Sequence, residues 1–111
     1  MTERRTKYNA KPVDADGLHF DSRAEYARYC ELKLLHAAGV ISAIDVHPRF
    51  EIVPKDKHGK ALFYEADFSY VDLENNINVV EDVKGVKTAV YQLKRRLFLA
   101  QYPGRRFVEI R

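Results

Sequence analysis

Residues 61–85 read ALFYEADFSYVDLENNINVVEDVKG. Two apolar runs, 61–71 and 77–84, flank the polar segment Asp72-Leu73-Glu74-Asn75-Asn76. The first run is rich in Phe and Tyr and the second in Val, residue types that suit a pleated, half-buried surface. Asn-Asn tolerates the positive backbone angles of a tight turn, so the pattern predicts a β-hairpin. Both strands carry an acid that strand propensity does not explain. Asp67 lies between Ala66 and Phe68, and Asp82 precedes Val83 and Lys84.

Register decides what those acids can do. A two-residue loop at Asn75-Asn76 sets Asp67 opposite Lys84 and Ser69 opposite Asp82. Side chains alternate along a strand, and opposed residues share a face. Asp67, Asp82 and Lys84 then project from one side, the two acids being diagonal neighbours about 7–8 Å apart. A four-residue loop over 74–77 preserves this register, whereas a three-residue loop flips one strand. Two carboxylates so placed can hold one hard cation through oxygen. The plainer alternative is a solvated strand face with Asp67 and Lys84 as an ion pair. Phe68 and Val83 fall on the opposite face, the better core. Gly85 would let backbone or substrate approach closely.

Working outward, Asp21 or Ser22 can cap a helix, and Ser22-x-x-Glu25 has capping-box spacing. Tyr26, Tyr29, Cys30, Leu34 and Ala37 recur at helical intervals, widened by Leu32 and Leu35, until Gly39 ends the helix. Residues 40–48 are ambiguous. Arg49–Val53 reads as a strand closed by Pro54. After the hairpin, Thr88 can cap a second helix over 89–102, with Val90, Leu93, Leu97 and Ala100 as its apolar stripe. Pro103-Gly104 stops it, and 106–111 reads as a last strand. Residues 1–17 read as a basic arm ending in the turn Asp16-Gly17. Residues 18–111 read as one domain, which a chain of 111 residues with 46% hydrophobic content can support.

Charge is unevenly spread. Residues 1–12 carry net +3, residues 13–83 net −7 and residues 84–111 net +7. Basic ends suggest a polyanionic partner, because Lys and Arg beside phosphates release condensed counterions. An acidic middle in such a protein is either a solvated surface or a cation site, where a metal lets carboxylates and phosphate share one place. The one cysteine, Cys30, excludes an internal disulfide or a cysteine cluster and is expected in the core. No run reaches the ~18 apolar residues of a membrane span, so no membrane association is expected and the default location is cytoplasmic. The four histidines show no paired ligand spacing, and none is assigned a role.

Phe20-Asp21-Ser22-x-x-Glu25, Tyr64-Glu65-Ala66-Asp67-Phe68, Val80-Glu81-Asp82-Val83-Lys84-Gly85 and the Gln92-Leu93-Lys94 helix together resemble the PD-(D/E)XK nuclease superfamily. More narrowly they resemble a family of small phage and prophage proteins, long catalogued as a domain of unknown function and grouped with junction-resolving and recombination endonucleases. Lys7-Tyr8-Asn9-Ala10-Lys11 is similar to that family's opening, so the resemblance spans nearly the whole chain. It implies an α/β, restriction-endonuclease-like core: a helix, a three-stranded antiparallel sheet, a helix and a strand. Asp67 matches the first motif acid, Asp82 and Lys84 the (D/E)XK pair, and Glu25 the helix-one glutamate. Ala66 replaces the motif's proline. Glu81 competes with Asp82, but alternation turns Glu81 away from Lys84.

The implied activity is hydrolysis of DNA phosphodiesters. Asp67, Asp82, the Val83 carbonyl and Glu25 would hold Mg2+, with Mn2+ able to substitute, and Lys84 would orient water or neutralise charge. Gln92 or Lys94 matches positions that support the site or touch DNA. Lys7, Lys11, Lys87, Lys94 and Arg95 would neutralise phosphates without reading sequence. Symmetrical cutting of two strands would favour a homodimer. The alternatives are a non-catalytic nucleic-acid-binding module on the same scaffold and, more weakly, a phage protein that binds a host protein.

Overall fold

Asp16 and Gly17 both adopt positive φ, 55° and 74°, the turn that matches the twist of a tight hairpin. They join β1 (Val13–Ala15) to β2 (Leu18–Phe20). The computed structural model describes residues 11–84 and 87–110. The segment expected as an arm is therefore strand from Val13 onward, and its residues 1–10, with Lys7 and Tyr8, lie outside the described residues, as does Gly85.

Ser22 caps α1 (Arg23–Ala37), its hydroxyl accepting the Glu25 amide at 3.1 Å. Gly39, at φ 77°, closes the helix: its amide reaches the His36 carbonyl and that of Val40 reaches Leu35. This pair of bonds satisfies two end carbonyls and needs a left-handed residue, which glycine supplies without strain. The ambiguous segment that follows is a strand, β3 (Ile41–Val46). Then come β4 (Arg49–Val53), β5 (Leu62–Glu65), β6 (Phe68–Asp72), β7 (Ile77–Val83), α2 (Ala89–Gln101) and β8 (Arg106–Ile110).

The main sheet has the order β3-β6-β7-β8. Its first three strands are antiparallel and β8 runs parallel to β7, as a crossover through α2 requires. β4 and β5 pair separately and prolong the β3/β6 hairpin beyond a break. The run 61–71, expected as one strand, is thus two. Pro48 has no amide to donate, and His47 sits at φ 58°, so regular pairing cannot pass through them. Two bonds span the break instead, His47 N–H to Asp67 C=O at 2.9 Å and Ala66 N–H to Pro48 C=O at 3.0 Å.

The β6–β7 loop is Leu73–Asn76, with Asp72 opposite Ile77 and Phe68 opposite Glu81. The expected pairing is therefore displaced by two residues. Asp72 sets the longer loop, accepting the amides of Glu74 and Asn75 on its carboxylate. A two-residue shift preserves faces, so Phe68 and Val83 remain on one side. They pack with Phe20, Leu32 and Ile41 under α1. Val80 packs on the other side with Ile52, Tyr64, Ala66, Tyr91 and Phe98 under α2. The helices cover opposite faces of β7.

Both helix stripes differ from expectation. Leu34 is 72% exposed, Val90 63% and Leu93 61%. The α1 face that is buried runs through Glu25 and Leu32, with Tyr29 partly covered, and that of α2 runs through Tyr91 and Phe98. Cys30 is half-buried. Among the described residues no helix is long and apolar enough to cross a membrane.

Candidate metal and active site

The strand break makes the site. The ladder between β6 and β7 ends at the pair Phe68 and Glu81, so the next inward-facing amide on β7, that of Val83, needs another acceptor. Asp67 supplies it, its Oδ2 accepting from Val83 N–H at 2.6 Å. The Asp67 amide donates to the Glu81 carbonyl at 3.1 Å. Asp67 is therefore fixed at both ends. Its carboxylate is engaged by the Val83 amide, whereas that of Asp82 is held by Tyr64 and Lys84.

Two side chains meet Asp67 from the α1 side. Glu25, in the first turn of α1, is fully buried. His47 follows β3, and extending the register Val46–Phe68 by one step sets it opposite Asp67. His47 Nε2 is 3.6 Å from Glu25 Oε1, and donor atoms of Glu25, His47 and Asp67 all lie within 4.8 Å of one another. Two carboxylates and an imidazole at that spacing fit a divalent cation.

Asp82 approaches from the α2 side. It accepts a hydrogen bond from the Tyr64 hydroxyl and pairs with Lys84 Nζ at 2.7 Å. Lys84 also stacks over the Tyr91 ring, 4.1 Å from its centre. Burial pushes the Asp82 carboxyl up to about 7, and the nearby Asp67 charge adds to that. Lys84 and Tyr64 oppose the rise without cancelling it. Burial, reinforced by Asp82, holds the Tyr64 hydroxyl far above the ordinary phenol range, so it stays a donor.

Glu81 faces away from this pair, as alternation requires. It is fully buried and clamped by Arg28, with Nε to Oε1 at 2.8 Å and Nη2 to Oε2 at 2.6 Å. The Tyr70 hydroxyl donates to the same carboxylate. The Glu81 hydrogen bond holds the Arg28 guanidinium even more firmly charged than usual.

The structure thus brings Glu25 to Asp67 and Lys84 to Asp82, and the Val83 amide bound by Asp67 links the two halves. Val83 contributes its amide to the site. The expected phosphate contacts are more dispersed. Lys11 and Gln92 are exposed and Lys94 is half-buried. Lys87 Nζ and Arg95 Nε lie 3.0 and 3.6 Å from Glu109, which also accepts from the Tyr91 hydroxyl at 2.5 Å. Sequence reasoning missed His47, Tyr64 and Arg28. His47 was reachable only through the β3–β6 register, which residues 40–48 did not reveal.

What these elements define is a mixed α/β protein, two helices about a four-stranded sheet, with buried carboxylates gathered at a break in its ladder. The family model described as "Protein of unknown function (DUF1064)" matches residues 5–110, and the chain belongs to that family. No curated protein and no solved structure matches it.

Proposed function

We propose that this protein is a metal-dependent DNA endonuclease of the PD-(D/E)XK type. The observation that carries the reading is that Asp67 and Asp82 are both buried and are linked through the Val83 amide, which follows Asp82 and donates to Asp67, with Lys84 held on Asp82 and Glu25 beside Asp67. A solvated strand face would not bury both acids. The strand order supports the restriction-endonuclease-like core: α1, then β3, β6 and β7 antiparallel, then α2 and a parallel β8. The β4–β5 ladder is an extension of one hairpin within that plan.

Asp67, Asp82, Glu25 and the Val83 carbonyl would hold Mg2+ or Mn2+. A bound divalent cation would polarise a phosphate oxygen and lower the pKa of the attacking water. Lys84, 16% exposed at its side chain, is placed to donate to a phosphate oxygen or to that water as charge develops. Tyr64 keeps Asp82 oriented from the opposite side. Lys11, Lys87, Gln92, Lys94 and Arg95 would position the DNA backbone. Cutting two strands symmetrically would be served by a homodimer. Such an enzyme would work in the cytoplasm, that of the bacterial host if the chain is phage-encoded.

The test is a panel of branched, duplex and single-stranded DNAs with Mg2+, comparing wild type with Asp82→Ala and Lys84→Ala. Wild type should cleave at least one substrate, and each variant should lose activity by roughly 10²-fold or more while remaining folded. Equal cleavage by wild type and variants would remove the mechanism. DNA binding without cleavage by any form would favour the non-catalytic module.

A further inference from the structure

His47 occupies a position that folding alone does not favour. It is a non-glycine residue at φ 58°, directly before Pro48, in a break that interrupts two ladders. Its backbone amide is tied to the Asp67 carbonyl at 2.9 Å, and its ring lies 6.3 Å from that of Phe20. The imidazole is therefore anchored by backbone on one side and by an aromatic neighbour on another. Its side chain is 22% exposed, whereas the Glu25 side chain is fully buried.

The distance from Nε2 to Glu25 Oε1, 3.6 Å, is long for a charge-assisted hydrogen bond, which closes at about 2.7–2.9 Å. It suits neighbouring ligands of one ion. Donors about 2.1–2.2 Å from a common metal lie roughly 3–4.4 Å from each other. The 4.8 Å spread of the Glu25, His47 and Asp67 donors needs only small side-chain adjustments to reach that range. The donor set is also informative. Mg2+ and Ca2+ favour all-oxygen shells, whereas imidazole nitrogen favours first-row transition ions.

We propose that His47 is a direct ligand of the cation site and makes it a nitrogen–oxygen site that selects Mn2+ over Mg2+. This rests on the metal-dependent reading above and adds a ligand and a cation preference to it. Glu25 and Asp67 supply the oxygens and His47 the nitrogen, all three in one lobe of the site. Asp82 and Lys84 flank Val83, whose amide donates to Asp67. Among the described residues the other histidines are His19, His36 and His58, none within the cluster, so a histidine nitrogen on the bound ion reports His47.

The experiment uses the full chain, stripped with chelator and without DNA. Calorimetry gives the Mn2+ and Mg2+ affinities, and pulsed electron paramagnetic resonance of the Mn2+ form reads nitrogen coupling. Wild type should bind Mn2+ at least about tenfold tighter than Mg2+ and show coupling to one imidazole nitrogen. His47→Gln should lose that coupling and about tenfold or more in Mn2+ affinity, with Mg2+ affinity nearly unchanged. Should His47→Gln fail to fold, wild type labelled with 15N-histidine gives the same answer through its altered coupling. A Mn2+ spectrum without nitrogen coupling, an equal loss for both ions, or no binding of Mn2+ would overturn the assignment. Nitrogen-coordinated Mn2+ in a protein that cuts no DNA would sink the nuclease reading alone. Cleavage with an all-oxygen ion would sink the His47 assignment alone.

Discussion

Asp82 ties stability to the proposed activity at a single carboxyl group. Its pKa in the folded chain is raised from 3.8 to about 7, first by burial and then by Asp67. Between those values the folded state binds a proton that the unfolded state has lost. Metal-free stability therefore falls as pH rises from about 4 to about 7, and the full loss remains above 7. Asparagine imitates the protonated acid. In chelator, the advantage of Asp82→Asn over wild type should grow between pH 5 and pH 8 by on the order of 2 kcal/mol, roughly 8 °C in Tm. Thermal melts at the two pH values check this, and a difference independent of pH would show that Asp82 is not held in that field. That this acid is special was legible as a candidate reading beside that of a solvated strand face: it sits two places before a lysine in a valine-rich strand, and the structure buries it. Its partner Tyr64 was not, because an aromatic residue in a strand reads first as core. Here Tyr64 is core at its ring and site at its hydroxyl.

Single contacts become a scaffold where elements meet. α1 is tied to β7 by the pair Arg28 and Glu81, and Glu25 lies one turn before Arg28 on the same helix. Removing one partner strands the other charge in a buried place, which costs more than the pair contributes. Glu81→Ala should destabilise the fold by about 3 kcal/mol, and Arg28→Met combined with Glu81→Leu by clearly less than the sum of the single changes. Denaturant melts supply the numbers; additive losses would mean the two side chains do not act as a pair. This clamp also explains why the helix stripes were misread. Hydrophobic periodicity looks for apolar residues, but the buried face of α1 is given partly to Glu25 and Arg28, and Leu34 is left in solvent. On α2 the buried face follows Tyr91 and Phe98, while Val90 and Leu93 point outward. The two helices, the hairpin strands and the last strand were readable because caps, glycines and prolines mark them, whereas β1, β2 and β3 were not. The division of 61–71 was not, since that unbroken run carries no sign of the bend imposed by the strand it faces.

Across the whole molecule the charge asymmetry survives folding in altered form. The acidic middle of the sequence supplies the buried acids Asp21, Glu25, Asp67, Glu81 and Asp82, five of its fourteen, while most of the others stay on the surface. None of the described basic residues in the C-terminal quarter is fully buried, but not all are available. Glu109, whose carboxyl is held below its ordinary value first by Tyr91 and then by Lys87, engages both Lys87 and Arg95. Arg106 is similarly engaged by Asp72 at 3.3 Å. Sequence could count these charges, but it could not show that a single acid on β8 faces two of the predicted phosphate contacts. Exposed ion pairs are weak, so a phosphate can compete for each cation, and the competition costs affinity. Glu109→Gln should relieve it. DNA binding should tighten by roughly two- to fivefold at low salt, and the slope of log affinity against log salt should steepen by up to about 0.9 for each cation released. Lys94→Ala should flatten the slope by about the same amount. Fluorescence anisotropy across a salt series measures both. Weaker binding in Glu109→Gln, or a slope that neither variant moves, would place the DNA on a different surface from the one formed by Lys87, Lys94 and Arg95.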